Sequence, residues 1–398
     1  MQLLLFFVTG FLVSRVLVKT RLPQKIVYLL MGGSHNSLNI TLLYLISTAA
    51  MMSFFIPNVI TMLTLLPVLD LLSQSFQKDK HSKVPTMLTL AVLYGANIGG
   101  MGSITGTPSN LALLAYLKVY NIHGVNEITF FSWMLWGIPL VILLVFLAWL
   151  VLSFGFHTWR SDVQQIQMPF APNATEHPLQ SHAVGIILFY VGSSAFLSFL
   201  ATAFPLQEFA ILILSCVVTM SIIWYLFRYR VTIGQSILIF EDTYSNLPKN
   251  GLKLLILVLI LGGVLYFLDL QTWLATQANN IIPSNINTFT LVMVAALITT
   301  FATELLSNTL VQVAMFLVLL PIMQSVGSPP AQALLVVTLS CTCAFMSPIA
   351  TPVNALAFGG TPGMSITRFM SIGAIMNILC SFIITSYVLA FVPIGTAG

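Results

Sequence analysis

Two stretches inside apolar segments of this chain carry the same polar residues in the same order. The first is Gly-Ser-Ile-Thr-Gly-Thr-Pro-Ser-Asn, Gly102 to Asn110, and the second is Met-Ser-Pro-Ile-Ala-Thr-Pro-Val-Asn, Met346 to Asn354. Ser103, Thr107, Pro108 and Asn110 thus match Ser347, Thr351, Pro352 and Asn354. Upstream of each copy another apolar segment is interrupted, at Pro57-Asn58-Val59 and at Ser307-Asn308-Thr309. One Pro or Gly in an apolar helix is usually only a kink. Four breaks in matching register constrain the fold far more. Non-helical backbone at membrane depth is tolerated only where protein surrounds it or where it lines a cavity. The fold must therefore gather these breaks together.

Composition sets the class. Hydrophobic residues make up 58% of the 398 residues and charged residues 6%, against roughly 25% charge in a soluble domain. The expectation is an all-α polytopic membrane protein. No basic stripe or aromatic platform suggests nucleic-acid binding. Cys216, Cys341, Cys343 and Cys380 sit in apolar segments and read as packing residues, without a zinc or disulfide pattern. His35, His81, His123, His157, His177 and His182 fall in polar connections without metal-ligand spacing.

A spanning helix needs about 20 apolar residues. Leu3 to Leu17 reads as a short first span. Leu42 to Ile56 and Val59 to Leu72 are too short to span and meet at Pro57-Asn58, which reads as a re-entrant hairpin. Met87 to Leu117 is a broken helix and Phe130 to Phe154 a full span. The later part gives spans at Ala183 to Ala203, Phe209 to Leu226 and Leu254 to Leu270. A second hairpin follows (Phe289 to Leu306, Thr309 to Met323), then a broken helix (Ala333 to Phe358) and a last span (Met370 to Val392). The expected organisation is a first repeat over 1–156, a cytoplasmic connector over 157–182 and a second repeat over 183–398.

Charge tests this topology independently. With the first hairpin opening to the cytoplasm, Arg15, Lys19, Arg21, Lys25, Lys78, Lys80, Lys83, Arg160, Arg228, Arg230, Lys249, Lys253 and Arg368 lie inside, and only Lys118 lies outside. Positive charge concentrates on the cytoplasmic side of inner-membrane proteins. The second hairpin then opens outward, the two repeats are inverted, and the C-terminus lies outside.

Polar, broken segments at matching places in inverted halves point to a transporter binding site at the repeat interface. No Lys or Arg falls near the expected midplane. The breaks offer neutral oxygens from Asn58, Asn308, Thr309, Thr107 and Thr351, freed carbonyls and half-helix ends. Helix N-termini favour anions, while hydroxyls and carbonyls at unwound turns suit sodium. Such a site binds an anion together with cations that offset its charge.

Asn97 to Asn110 resembles the segment after the first hairpin in the divalent anion–sodium symporter family. Thr303 to Thr309, Thr-Glu-Leu-Leu-Ser-Asn-Thr, is similar to that family's second Ser-Asn-Thr signature, and Ala344 to Asn354 resembles its partner segment. The resemblance runs from the first residues to the last span. It implies a scaffold domain, often dimeric, and a transport domain moving like an elevator. It also implies sodium-coupled movement of di- or tricarboxylates or sulfate-like oxyanions across the cell membrane. By position, one sodium site uses Ser53, Asn58 and the carbonyl of Gly106. The other uses Thr303, Asn308 and the carbonyls of Leu306 and Ala350. The substrate lies between the tips at Asn58, Val59, Asn308 and Thr309, beside Thr107-Pro108 and Thr351-Pro352.

Two departures stand out. Pro57-Asn58-Val59 replaces the family's first Ser-Asn-Thr, which removes two hydroxyls and leads us to expect an asymmetric site. The first repeat also has fewer spans before its hairpin than the second, so scaffold helices are expected to be missing or to lie upstream. Glu304 reads either as a helper that orients the second hairpin or as a proton site. Asn97 either lines the site or bonds a freed carbonyl. The competing functions are a proton-coupled anion efflux carrier, a cation–proton antiporter, and a remnant that has lost transport. A membrane enzyme would need a nucleophile–base pair or metal cluster, and the sequence presents neither.

Overall fold

The computed structural model describes residues 2–22, 37–75, 83–158, 177–203, 208–228, 230–232, 235–244, 286–361 and 364–395, with a few isolated positions between them. The expected span Leu254 to Leu270, most of the connector, and His35 and His81 lie outside the described residues. The described fold is helical: α1 (Gln2–Lys19), α2 (Leu38–Ser53), α3 (Asn58–Ser75), α4 (Val84–Gly99), α5 (Pro108–Val119), α6 (Phe130–Phe156), α7 (Gln180–Ala203), α8 (Glu208–Arg228), the short α9 (Phe240–Tyr244), α10 (Thr288–Ala302), α11 (Asn308–Ser325), α12 (Pro330–Ser340), α13 (Pro352–Gly360) and α14 (Ile366–Phe391). One small antiparallel pair, Arg230–Thr232 with Gln235–Ser236, interrupts it. Five of these segments are long and apolar enough to cross a membrane. The protein is an all-α polytopic membrane protein.

Local chemistry sets the helix boundaries. Thr107 and Thr351 cap α5 and α13, each accepting the N–H of the Asn three residues on, with Pro in the first turn. Pro fits there because its missing N–H would have no helical partner. Thr129 and Ser132 form a reciprocal capping box at the start of α6. Ser307 caps α11 by accepting the Leu310 N–H. The corresponding Pro57 has no hydroxyl, and its carbonyl takes the N–H groups of Ile60 and Thr61 instead.

The packing has a repeated plan. α2 lies on α3, α4 and α6, as α10 lies on α11, α12 and α14. α4 packs on α6 as α12 packs on α14. The two sets also cross. α3 lies against α13, α11 lies against α5, and α6 lies against α14. Small residues permit this closeness, as at other membrane helix interfaces. A side chain at Gly99 would collide with the backbone of Ala50 on α2. Gly137 on α6 and Gly373 on α14 occupy equivalent places, each against the backbone of the neighbouring break.

α1, α7 and α8 pack on one another beside this assembly, and α7 joins it through α6. Phe130 and Tyr190 meet edge to face across that joint. Lys19 pairs with Asp242 of α9 at 2.6 Å. α11 spans Asn308–Ser325, longer than the expected Thr309 to Met323, and is long and apolar enough by itself to cross a membrane. Its length therefore does not distinguish a hairpin arm from a span.

Candidate functional site

Each hairpin tip brings two side-chain oxygens together. Ser53 ends α2 and Asn58 begins α3, and the Ser53 hydroxyl donates to Asn58 Oδ1 at 2.5 Å. Thr303 follows α10 and Asn308 begins α11, and the Thr303 hydroxyl reaches Asn308 Oδ1 at 2.6 Å. Ser53 and Thr303 are fully buried, while Asn58 and Asn308 are half-buried.

The helix breaks are stitched by their asparagines. Asn110 Nδ2 donates to the carbonyls of Gly100 and Ser103, at 3.0 and 2.7 Å. Asn354 Nδ2 donates to those of Ala344 and Ser347, at 2.9 and 2.8 Å. Thus the repeated Asn satisfies the acceptors that the unwound turn exposes. Both asparagines are fully buried.

Tips and breaks are joined. Ser103 Oγ donates to the Phe54 carbonyl at 2.6 Å. In the second half Glu304, one residue past Thr303, accepts the N–H groups of Met346 and Ser347 at 2.8 and 2.6 Å, and Asn377 Nδ2 at 2.6 Å. Glu304 therefore ties tip to break and to α14. Asn97 bonds a freed carbonyl, one of the two readings expected of it, and also bonds the first tip. Its Oδ1 accepts from Asn58 Nδ2 at 3.2 Å, and its Nδ2 donates to the Ala344 carbonyl at 3.2 Å. It thus connects the first tip to the second break.

The predicted cation ligands differ in how closely the structure assembles them. A Cβ built on Gly100 would stand 3.0 Å from Asn58 Oδ1 and 3.5 Å from the Gly106 carbonyl. The missing Gly100 side chain lets Asn58, the Gly106 carbonyl and the Thr107 methyl close in around one point, and the first two are expected ligands. Thr303 and Asn308 meet, and the Cys341 carbonyl stands 3.0 Å from the same Thr303 hydroxyl as an alternative acceptor for its one hydrogen. Leu306 and Ala350 stand at the tip and break of that same half, Leu306 exposed and Ala350 half-buried.

Among the anion-facing candidates, Thr309 and Thr351 are half-buried, Thr107 is buried, and Pro108 and Pro352 are exposed at the starts of their helices. Val59 is partly buried against the core, and its side chain offers no donor. Four helix N-termini (α3, α5, α11 and α13) begin at these tips and breaks.

Gly100 was expected only as one of the residues that break its helix, and Gln312 and Asn377 were not singled out from the sequence. Gln312 lies one turn beyond Asn308 and is fully buried. It donates to the Ser109 carbonyl at 2.8 Å and to Thr338 Oγ1 at 2.9 Å. A polar residue in an apolar arm was the available signal. Cys341, Cys343 and Cys380 are buried free thiols, and Cys216 is half-buried. Among the described residues no group of His, Cys, Asp and Glu could hold a metal ion.

The family described as the sodium:sulfate symporter transmembrane region matches residues 1–394. The chain belongs to this family. Its members are membrane transporters, not enzymes. The chain is similar to the sodium-dependent dicarboxylate transporter SdcS of Staphylococcus saprophyticus, at 24% identity over 98% of this chain and 77% of that protein. It is also similar to an uncharacterized transporter of Methanocaldococcus jannaschii, at 28% identity over 85% of this chain and 71% of the relative. An uncharacterized transporter of Haemophilus influenzae is 25% identical over 96% of this chain and 79% of its own length.

Proposed function

We propose that this family member is a sodium-coupled carrier of small divalent anions, dicarboxylates first among them. The observation that carries the proposal is the pair of neutral oxygens at each tip, Ser53 with Asn58 and Thr303 with Asn308. Helix N-termini begin beside both pairs, and among the described residues these tips carry no Lys or Arg. Neutral oxygens suit a sodium ion, and helix N-termini suit an anion. The name of the Staphylococcus relative agrees with this chemistry.

Coupling follows from charge. An ion taken into a low-dielectric interior without compensation costs several kcal/mol. Sodium at Ser53, Asn58 and Gly106, and at Thr303, Asn308, Leu306 and Ala350, offsets an anion held by Asn58, Asn308, Thr309, Thr107 and Thr351. The loaded and empty carriers cross, and half-loaded ones do not.

The crossed packing supports reading 1–156 and 183–398 as inverted repeats. The charge distribution supports an inner-membrane topology with the C-terminus outside. The two breaks also differ in cover. Gly10 of α1 has Thr105 of the first break and the Tyr190 hydroxyl of α7 against it, and Ile104 is 3% exposed. In the second half Leu305 is 80% and Ile349 79% exposed. A site covered on one side and open on the other fits alternating access, with α1 and α7 on the stationary side of an elevator movement.

The test is thermal melting of the purified protein with succinate, malate, citrate, sulfate and phosphate, each with and without sodium. A ligand that binds only the folded state at 100 times its Kd stabilises by about 2.7 kcal/mol. A dicarboxylate should raise the melting temperature only when sodium is present. Stabilisation by sodium or pH alone, with no anion effective, would overturn the reading in favour of an antiporter.

A further inference from the structure

We propose a third small-cation site, distinct from both hairpin tips, where α10, α12 and α14 meet. This inference rests on the sodium-coupled reading above and adds a site to it. Thr300, Ser340 and Ser381 converge there, and all three are fully buried. The Thr300 and Ser381 hydroxyl oxygens stand 3.0 Å apart. Each has a backbone acceptor for its hydrogen: Thr300 donates to the Ser340 carbonyl at 3.3 Å, and Ser381 to the Asn377 carbonyl at 2.9 Å. With the Ser381 hydrogen on the Asn377 carbonyl, the Thr300 hydrogen is shared between Ser381 Oγ and the Ser340 carbonyl, and each hydroxyl oxygen keeps a free lone pair. The Ser340 Oγ and Asn377 Oδ1 are buried and have no hydrogen-bond partner. Because Asn377 Nδ2 is committed to Glu304, its other amide atom is the acceptor.

Around these hydroxyls acceptor atoms outnumber the hydrogens available to them. A hydroxyl can keep donating one hydrogen bond while a second lone pair faces a cation. Hard cations take oxygen ligands at about 2.3–2.6 Å, which places adjacent ligands roughly 3.3–3.7 Å apart. The Thr300–Ser381 separation of 3.0 Å is a hydrogen-bond distance, and a bound cation would draw these two oxygens apart into that range.

The first half shows that the packing does not need these hydroxyls. By the same spacing from the matched motifs and from Gly137 and Gly373, Ala50, Ala96 and Val145 stand where the second half has Thr300, Ser340 and Ser381. All three are buried between the equivalent helices α2, α4 and α6. The same architecture is thus held by methyl groups in one half and carries the oxygens in the other. A buried polar group without a partner is destabilising, so the arrangement makes sense if a ligand completes it.

The test is a sodium titration of the melting temperature of the full chain, at constant ionic strength with choline replacing sodium. Ser340→Ala removes a hydroxyl that makes no hydrogen bond in the described structure. Its melting temperature without sodium should therefore be no lower than the parent's. Losing one charge–dipole ligand should raise the sodium concentration for half-maximal stabilisation about tenfold. A second variant, Thr300→Ala with Ser381→Val, installs the first half's residues. In proteoliposomes its reversal potential should report one sodium fewer per anion carried. Superimposable titrations of Ser340→Ala and the parent would overturn the third site and leave a water pocket. If those curves coincide while Asn308→Ala loses its sodium response, the tip sites stand and only this proposal falls. A parent protein that sodium does not stabilise at all would overturn both.

Discussion

At the scale of single residues, the candidate site is made of neutral oxygens whose positions depend on absent as well as present atoms. Asn308 shares its Oδ1 with Thr303 and begins α11. Asn308→Ala should abolish uptake while leaving a folded protein, as checked by radiolabelled uptake beside a melting curve. Gly100→Ala is the complementary change. Its methyl would enter the space between Asn58 Oδ1 and the Gly106 carbonyl and press on Thr107. Sodium affinity should fall by an order of magnitude or more, on the scale of one lost ligand, and a sodium titration of uptake reads it. Glu304 receives three N–H donors. In Glu304→Gln an amide N–H₂ must face one of them, which should destabilise the protein by about 1–3 kcal/mol. The pH profile of uptake should keep its shape. A profile that flattened would make Glu304 a proton carrier instead of a brace.

At the scale of elements, the two hairpins are the same device built with different end chemistry. Ser307 caps α11 with its hydroxyl, whereas Pro57 offers α3 only its carbonyl. Pro57→Ser should stabilise the first hairpin by about 1 kcal/mol, a typical N-cap contribution, seen as a higher melting temperature. Val59→Thr should raise affinity for symmetric dicarboxylates in competition uptake; an unchanged substrate ranking would mean that Val59 faces away. These elements were legible because their signals are local. A Thr-Pro-X-Asn run contains its own cap, its own helix start and its own stitch, so the sequence motif and the structural unit coincide. The pairing of Ser53 with Asn58, and of Thr303 with Asn308, came instead from the family resemblance, carried over by position. The Gln312 bridge to Ser109 and the Asn97 bridge to Ala344 were not legible, because each partner lies far along the chain. Nothing near Gln312 in sequence indicates which carbonyl it will meet. The length of α11 misleads in the other direction, since an apolar run ends where packing ends it and not where a hairpin requires.

At the scale of the whole molecule, the polar load is unevenly divided. The second half carries Glu304, Asn377, Gln312 and the three buried hydroxyls, whereas apolar side chains fill the matching places of the first half. The first half is covered where Thr105 meets Gly10 and Tyr190, while Ile349 is bare. A membrane-impermeant thiol reagent should therefore label Ile349→Cys readily and Thr105→Cys slowly. Adding Gly10→Val should speed labelling at position 105 by prising that contact apart. The halves nevertheless do not act alone, because the Ala344 carbonyl receives one amide from Asn97 and another from Asn354. That single oxygen is a junction between the two ports. Anything that tugs Asn58 out of place loosens a turn in the opposite half, and the reverse also holds. On the proposed coupled reading, unloading should then be one event in time, with a single rate, and the cargo should depart as a set.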